Sequence, residues 1–296
     1  MSRVSLLRGE AEAISHGAAT IVNAIATGKG AAVGVDLWTK AAVALTDEPG
    51  TVKVKILSDS SENPVLAQKT VEYVLKRFGL EKEFGAKVET SSNIPVARGM
   101  KSSSAAANAI ALATVAALER GLDDVDVVKL GVDGAVDAKV TVTGAFDDAC
   151  ASYFGGIVIT DNVERKIVKR FELTEAPAVL FYVPAEKSYT ISSDVKRMKT
   201  MAPVVKLAYR EALNGKYWAA LTMNGLIYSS ALGYDSSPAV DALTAGALAS
   251  GLSGTGPAVT AIVSEDKVDD VKEVWQKRGG EILETRINQE KARVVG

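Results

Sequence analysis

Pro95-Val96-Ala97-Arg98-Gly99-Met100-Lys101-Ser102-Ser103-Ser104, running straight into the alanine-rich segment Ala105 to Leu118, is the stretch on which the reading of this chain turns. A small-residue loop that opens a helix lets backbone N–H groups approach an anion, and the helix N-terminus adds roughly half a positive charge to hold it. Lys101 and three hydroxyls then stand where a polyphosphate and its magnesium ion would need them. The same residues also suit a plain serine-capped helix after a turn, since serine is a favoured N-cap and a buried helix can be rich in alanine. Upstream, Lys87 to Asn93 alternates as a strand does, so the order is strand, glycine-containing loop, helix, with Gly121 as its end.

Further out, Lys40 to Leu45 and Val52 to Leu57 read as strands of a hairpin around Asp47-Glu48-Pro49-Gly50. Pro64 to Phe78 carries apolar residues at helical spacing and stops at Gly79. A helix is expected over Val125 to Ala138 and a short β-branched strand over Val140 to Val142. From Gly156 the pattern gives strands at Ile157 to Thr160 and Val179 to Val183, then helices near Pro203 to Leu213 and Tyr217 to Tyr228. The last part reads glycine loop (Gly251 to Pro257), strand (Ala258 to Ser264), helix (Val268 to Arg278), strand (Glu281 to Ile287). This is an α+β chain without a fixed-period repeat.

Composition narrows the function. The 296 residues are 47% hydrophobic and 24% charged, enough for one large domain or two closely packed ones. A formal net charge of −2 gives no basic surplus, so nucleic acid is not the expected partner. The lone Cys150 leaves no internal disulfide and the lone His16 no His/Cys zinc cluster; both are expected to be structural. Arg8, Glu10 and Glu12 interrupt any apolar run at the start, and Ala105 to Leu118 is too short and mild to span a bilayer, so a cytoplasmic protein is expected.

No G-x-x-x-x-G-K-[ST] occurs, and no G-x-G-x-x-G follows a strand to open a helix, so neither common nucleotide signature is present. Three separated small-residue elements stand instead: Gly28 to Asp36, Pro95 to Ser104 and Gly251 to Pro257. The middle one resembles the P-x-x-x-G-[LM]-x-S-S-[AS] loop of the GHMP kinases. Gly251-Leu252-Ser253-Gly254-Thr255-Gly256-Pro257-Ala258 is similar to that superfamily's third motif, and Thr143-Gly144-Ala145-Phe146-Asp147-Asp148 before Gly155-Gly156 to its aspartate motif. Lys101, where most members carry glycine, and the triple serine resemble the archaeal type of shikimate kinase in particular.

The resemblance implies a GHMP kinase fold, with a ribosomal S5 domain 2-like N-terminal domain (1–160) and a ferredoxin-like C-terminal domain (161–296). It implies ATP-dependent phosphorylation of a small-molecule hydroxyl with Mg2+, here the 3-hydroxyl of shikimate on the way to chorismate and the aromatic amino acids. Homoserine kinase is the nearest alternative within the superfamily, and a nucleotide-binding sensor without turnover the alternative outside enzymes. By the motif, Pro95, Val96, Ala97, Arg98, Gly99, Met100, Lys101, Ser102, Ser103, Ser104 and Ala105 hold the nucleotide, with Ser103 also a magnesium ligand. Lys101 is an extra phosphate contact, or else a solvated side chain at a loop tip.

Asp148, seven residues before Gly155, falls at the superfamily's base, while Asp147 beside it would repel it if both were buried. Either could instead cap the helix Ala149 to Phe154. Asp137, eleven residues before Asp148, matches the position of a second magnesium ligand, with Asp in place of the usual Glu. Gly254, Thr255 and Gly256 are expected to shape the substrate side, and Gly28 to Ala32 to line the pocket. A carboxylate-bearing substrate calls for a basic partner; the candidates are Arg8, Lys187, Arg286 and above all Arg197, with Thr20 and Asn23 facing ring hydroxyls. The oligomeric state is left open.

Overall fold

The structure, a computed structural model, describes residues 9–58, 62–95, 99–141, 144–175, 177–184 and 195–295. Strands β1 (Glu10–Val22) and β2 (Lys29–Thr46) form a long antiparallel ribbon. β1 escapes the sequence reading because its inner half, Gly17-Ala18-Ala19-Thr20, is small and buried on both faces, which blurs the alternation that marks Glu10 to Ala13. After β3 (Val52–Ile56) the chain crosses through helix α1 (Val65–Arg77) into β4 (Gly85–Ser92).

β4 pairs antiparallel with β2 (Val43 opposite Val88) and parallel with β3 (Val54 opposite Val88). The expected hairpin of Lys40 to Leu45 with Val52 to Leu57 therefore does not form, because β4 lies between its strands. The reason is α1: Val71, Val74 and Leu75 must be buried, and a helix between two strands returns the second parallel to the first.

Helices α2 (Ser102–Ala117), α3 (Asp124–Asp137) and α4 (Phe146–Phe154) cover one face of this sheet. α2 is apolar nearly all round because it is enclosed by the sheet and the other helices. Its alanines allow close approach: a Cβ on Gly131 of α3 would stand 3.2 Å from the Ala107 backbone. α2 ends earlier than expected, with Glu119 rather than Gly121 taking the left-handed turn (φ 52°). Val140 and Thr141 belong to no strand, and Val142 lies outside the described residues.

β5 (Ile157–Asp161) pairs with β2, and β6 (Lys166–Phe171) with β5. The second sheet holds β7 (Ala178–Val183), β8 (Ala249–Leu252), β9 (Val259–Val263) and β10 (Glu281–Arg286), in the antiparallel order β10-β7-β9-β8. Helices α5 (Val195–Thr200), α6 (Ala202–Leu213), α7 (Tyr217–Leu232) and α8 (Ser237–Thr244) connect β7 to β8, and α9 (Val268–Gln276) connects β9 to β10. This is the ferredoxin-like arrangement of strands and helical crossovers. Strand β11 (Arg293–Val295) returns to pair with β1. The expected division between residues 160 and 161 falls at the end of β5, and β6 and β11 extend the first sheet past it.

Between the two sheets lie α6 and α7, whose Val205, Ala208, Leu221 and Tyr228 pack with Val33 and Val35 of β2 and Val179 and Phe181 of β7. The opposite face of β7 sets Leu180 and Tyr182 against Trp275 of α9. Buried on both faces, β7 reads as the unbroken apolar run Ala178 to Val183.

Candidate active site

Gly99 takes φ +79°, and a Cβ there would stand 2.9 Å from the Ser253 carbonyl oxygen. The Ser253 hydroxyl donates to the Gly99 carbonyl at 2.8 Å, so the loop before α2 is clasped to the late glycine loop. The Ala18 N–H donates to the Met100 carbonyl at 3.3 Å, fixing the same loop to β1. Lys101 then occupies the helix cap in the left-handed conformation (φ 63°, ψ 36°), which costs a non-glycine residue about 1–2 kcal/mol. The cap of α2 is thus a lysine without an acceptor, and the serine-capped reading does not hold. Ser102, Ser103 and Ser104 form the open first turn, half-buried, ahead of the buried Ala105.

The chain reaches α4 through two left-handed residues, Gly144 (φ 84°) and Ala145 (φ 45°), the latter being its cap. Asp147 and Asp148 therefore lie inside its first turn rather than capping it, where the helix dipole favours negative charge. Lys101 Nζ stands 3.0 Å from Asp148 Oδ2, with the two side chains 13% and 10% exposed. Lys101 is accordingly not a solvated loop tip. Asp148 Oδ1 is buried without a hydrogen-bond partner, which leaves an acceptor ready for an incoming donor. The Asn108 side chain of α2 donates to the Ala149 carbonyl at 2.9 Å and so fixes α4 against α2.

Asp147 points elsewhere. Its Oδ1 accepts the Asn162 amide at 2.8 Å, and Asn162 Oδ1 in turn accepts the Thr160 hydroxyl at 2.6 Å. A Cβ on Gly30 would overlap the Asp147 carboxylate, which explains the glycine in β2. Burial, and then the charge of Asp148, push the Asp147 carboxyl up to about 7.

From the late loop, Gly254 (φ +63°) presses on this pair: a Cβ there would stand 2.6 Å from Lys101 Nζ and 3.8 Å from Thr20 Oγ1. Thr20 is buried with its hydroxyl unpartnered. The Asn23 amide donates to the Gly254 carbonyl at 3.2 Å, while Asn224 Oδ1 accepts the Asn23 N–H at 3.0 Å. Sequence reasoning did not single out Asn224; the available signal was an amide within the apolar run Tyr217 to Leu232. Thr255 and Gly256 are half-buried in the same loop, Gly256 beside the Tyr234 ring.

The other candidates lie outside this set of contacts. Asp137, half-exposed at the end of α3, is paired with Lys69 of α1 at 3.3 Å. Arg197 is exposed on α5, and Arg286 is exposed and paired with Glu265 at 3.4 Å. Arg8, Val96, Ala97, Arg98, Thr143 and Lys187 lie outside the described residues. His16 is buried in β1, where desolvation lowers its pKa, and Cys150 is buried in α4. Among the described residues no cluster of three His, Cys, Asp or Glu side chains forms a metal cage, and no helix is long and apolar enough to cross a membrane.

Residues 65–156 match the GHMP kinases N terminal domain family and residues 234–281 the GHMP kinases C terminal family. The shikimate kinase of Methanosarcina mazei is 46% identical over 281 residues, covering 94% of each chain. That of Pyrococcus furiosus is 47% identical over 90% of this chain and 95% of its own. Among solved structures, homoserine kinase from Cytophaga hutchinsonii superposes over the full length of both chains with a TM-score of 0.75 at 17% identity. L. major mevalonate kinase in complex with R-mevalonate does so over 98% of this chain and 100% of its own, with a TM-score of 0.74 and again 17% identity. At that identity the structural likeness speaks for the fold, which is the GHMP kinase fold the motifs implied. Fold, motif order and near-full-length identity agree: this chain belongs to the shikimate kinase family of the GHMP kinases.

Proposed function

We propose that this protein transfers the γ-phosphoryl group of ATP to the 3-hydroxyl of shikimate, giving shikimate 3-phosphate, with Mg2+ and in the cytoplasm. The observation that carries the chemistry is the Lys101–Asp148 pair at 3.0 Å, set where the N-termini of α2 and α4 meet. The acceptor follows from the relatives named shikimate kinase that match nearly the whole chain.

ATP with its magnesium ion, when bound, supplies the phosphoryl group and screens its charge. A magnesium ion held largely by phosphates needs only one or two protein oxygens, so the Ser103 hydroxyl in the open first turn of α2 fits it. Asp137 would serve as the second oxygen by exchanging its partner Lys69. The uncapped N–H groups of α2 face the phosphates, and Lys101 shifts between Asp148 and the developing phosphoryl charge. Asp148 accepts the proton of the acceptor hydroxyl through its unpartnered Oδ1. Gly254 to Gly256 border the acceptor, and Arg197 is the proposed grip on its carboxylate, so Arg197→Ala should raise the acceptor KM without moving that for ATP. The two lobes are taken to divide near residues 160 and 161.

The direct test is shikimate-dependent ADP release with ATP and magnesium, with homoserine, mevalonate and pantoate as parallel acceptors. Turnover with shikimate alone is expected. Turnover with another acceptor would keep the mechanism and move the specificity, and ATP binding without turnover on any of the four would favour an acceptor outside this panel or a non-catalytic sensor.

A further inference from the structure

Beside the reacting carboxylate stands a second one that phosphoryl transfer does not use. Asp147 is 3% exposed, yet its polar neighbourhood is specific. Because Asn162 Oδ1 is taken by the Thr160 hydroxyl, only the Asn162 amide N–H is turned to Asp147. Thr160 is itself held from behind, its carbonyl accepting the Tyr209 hydroxyl at 3.3 Å. The other Asp147 oxygen lies against the Gly30 backbone. Asp148 on α4 and Lys101 on α2 are the charged groups that face it. Cys150 on α4 and Tyr228 on α7 are the other titratable neighbours, and burial pushes both up, so they stay neutral.

Two buried carboxylates thus face one ammonium, and that ammonium is paired with Asp148. Full ionisation would place a second charge in the interior that only the Asn162 amide and the Asp148 backbone N–H, two neutral donors, face, with no second ammonium to pair it, which is unfavourable. Given the role of Asp148 as base, on which this inference rests, we propose that Asp147 is a positioning residue that works as the neutral carboxylic acid, keeping the pair's single negative charge on Asp148 and Lys101 available to the phosphates. Once Asp147 ionises, Lys101 must serve two carboxylates, and a second negative charge lies beneath the site that receives the phosphoryl group. The direction of the Asp147 shift agrees: burial and the Asp148 charge make it hold its proton into the neutral range.

The test is kcat/KM for shikimate against pH for the native enzyme, Asp147→Asn and Asp148→Asn, with ATP affinity measured in parallel. The native enzyme should lose activity above neutrality, about tenfold per pH unit once the ionisation is passed. Asp147→Asn, a fixed neutral isostere, should lower kcat/KM about threefold at low pH but lack that alkaline limb, overtaking the native enzyme by tens of fold near pH 9. An unchanged alkaline limb in Asp147→Asn overturns the proposal. Activity retained by Asp148→Asn overturns the base assignment beneath it, which separates the two failures. If Asp147→Asn does not fold, carboxyl-13C NMR of the native protein decides: one aspartate titrating near neutrality supports the proposal, and all aspartates ionising in the ordinary acidic range refute it.

Discussion

Replacing Lys101 tests backbone strain and charge separately, because the structure loads both onto one residue. Lys101→Met removes the ammonium from a pair whose side chains are 13% and 10% exposed, and breaking so enclosed a pair from one side costs about 3–5 kcal/mol. Asp148 can escape part of that cost by taking up a proton, but a protonated Asp148 no longer accepts one from the acceptor hydroxyl. Either way, loss of the charge at the developing phosphoryl group should lower kcat/KM about a hundred- to a thousandfold. Lys101→Gly removes the same charge while relieving the left-handed strain at φ 63°, so it should be about 1–2 kcal/mol more stable than Lys101→Met and equally inactive. Denaturant melts give the stability difference and shikimate-dependent ADP release gives the activity. A Lys101→Met enzyme within about threefold of the native kcat/KM would refute the role of the pair, and a glycine variant no more stable than the methionine one would refute the strain.

Other outcomes follow from neighbouring contacts. Gly254→Ala places a Cβ 2.6 Å from Lys101 Nζ at φ +63°; the lysine tip yields, so stability should fall only about 1–2 kcal/mol while kcat drops as Lys101 leaves Asp148, a split that melts and initial rates resolve. Thr20→Val deletes a buried hydroxyl that has no protein partner, so stability should barely change, whereas the shikimate KM should rise about tenfold, the equivalent of one hydrogen bond, with Thr20→Ser restoring it. Asp147 ionises at 3.8 unfolded and at about 7 folded, so the folded state binds the extra proton between those values and loses stability as pH rises through them. Asp147→Asn should therefore melt higher than the native protein by a margin that grows from about pH 4 to about pH 7, and a margin independent of pH would contradict this.

Much of this was legible in the chain because its chemistry is local. The loop ending in Ser102 to Ser104, the aspartates before Gly155 and the late glycine loop are each contiguous, and α3 and β7 keep nearly the bounds that periodicity gives. What was missed depends on distant partners. The pairing of β3 with β4 depends on where α1 packs, and β1 is hidden by small residues buried on both faces. Asn224 acquires its meaning only by meeting Asn23, 201 residues away. The separation of Asp147 from Asp148 turns on Asn162 and Gly30, neither of which carries a motif of its own toward the aspartates.

The bonds that assemble the site share a form: a side chain of one segment meets the backbone of another. Ser253 reaches the Gly99 carbonyl, Asn23 the Gly254 carbonyl and Asn108 the Ala149 carbonyl, across 154, 231 and 41 residues of sequence. Backbone acceptors fix where a loop runs whatever side chains it carries, and phosphoryl transfer depends on positions held to fractions of an ångström rather than on covalent participation by the protein. The longest of these ties join the first sheet's strands and loops to the loop between β8 and β9. A chain ending before β8 would keep Lys101 and Asp148 but lose Ser253, which holds the Gly99 carbonyl just before Lys101, and Gly254, which lies against the Lys101 tip. The second sheet therefore holds the loop that touches Lys101, and in the proposed mechanism it belongs to the phosphate side as well as to the acceptor side.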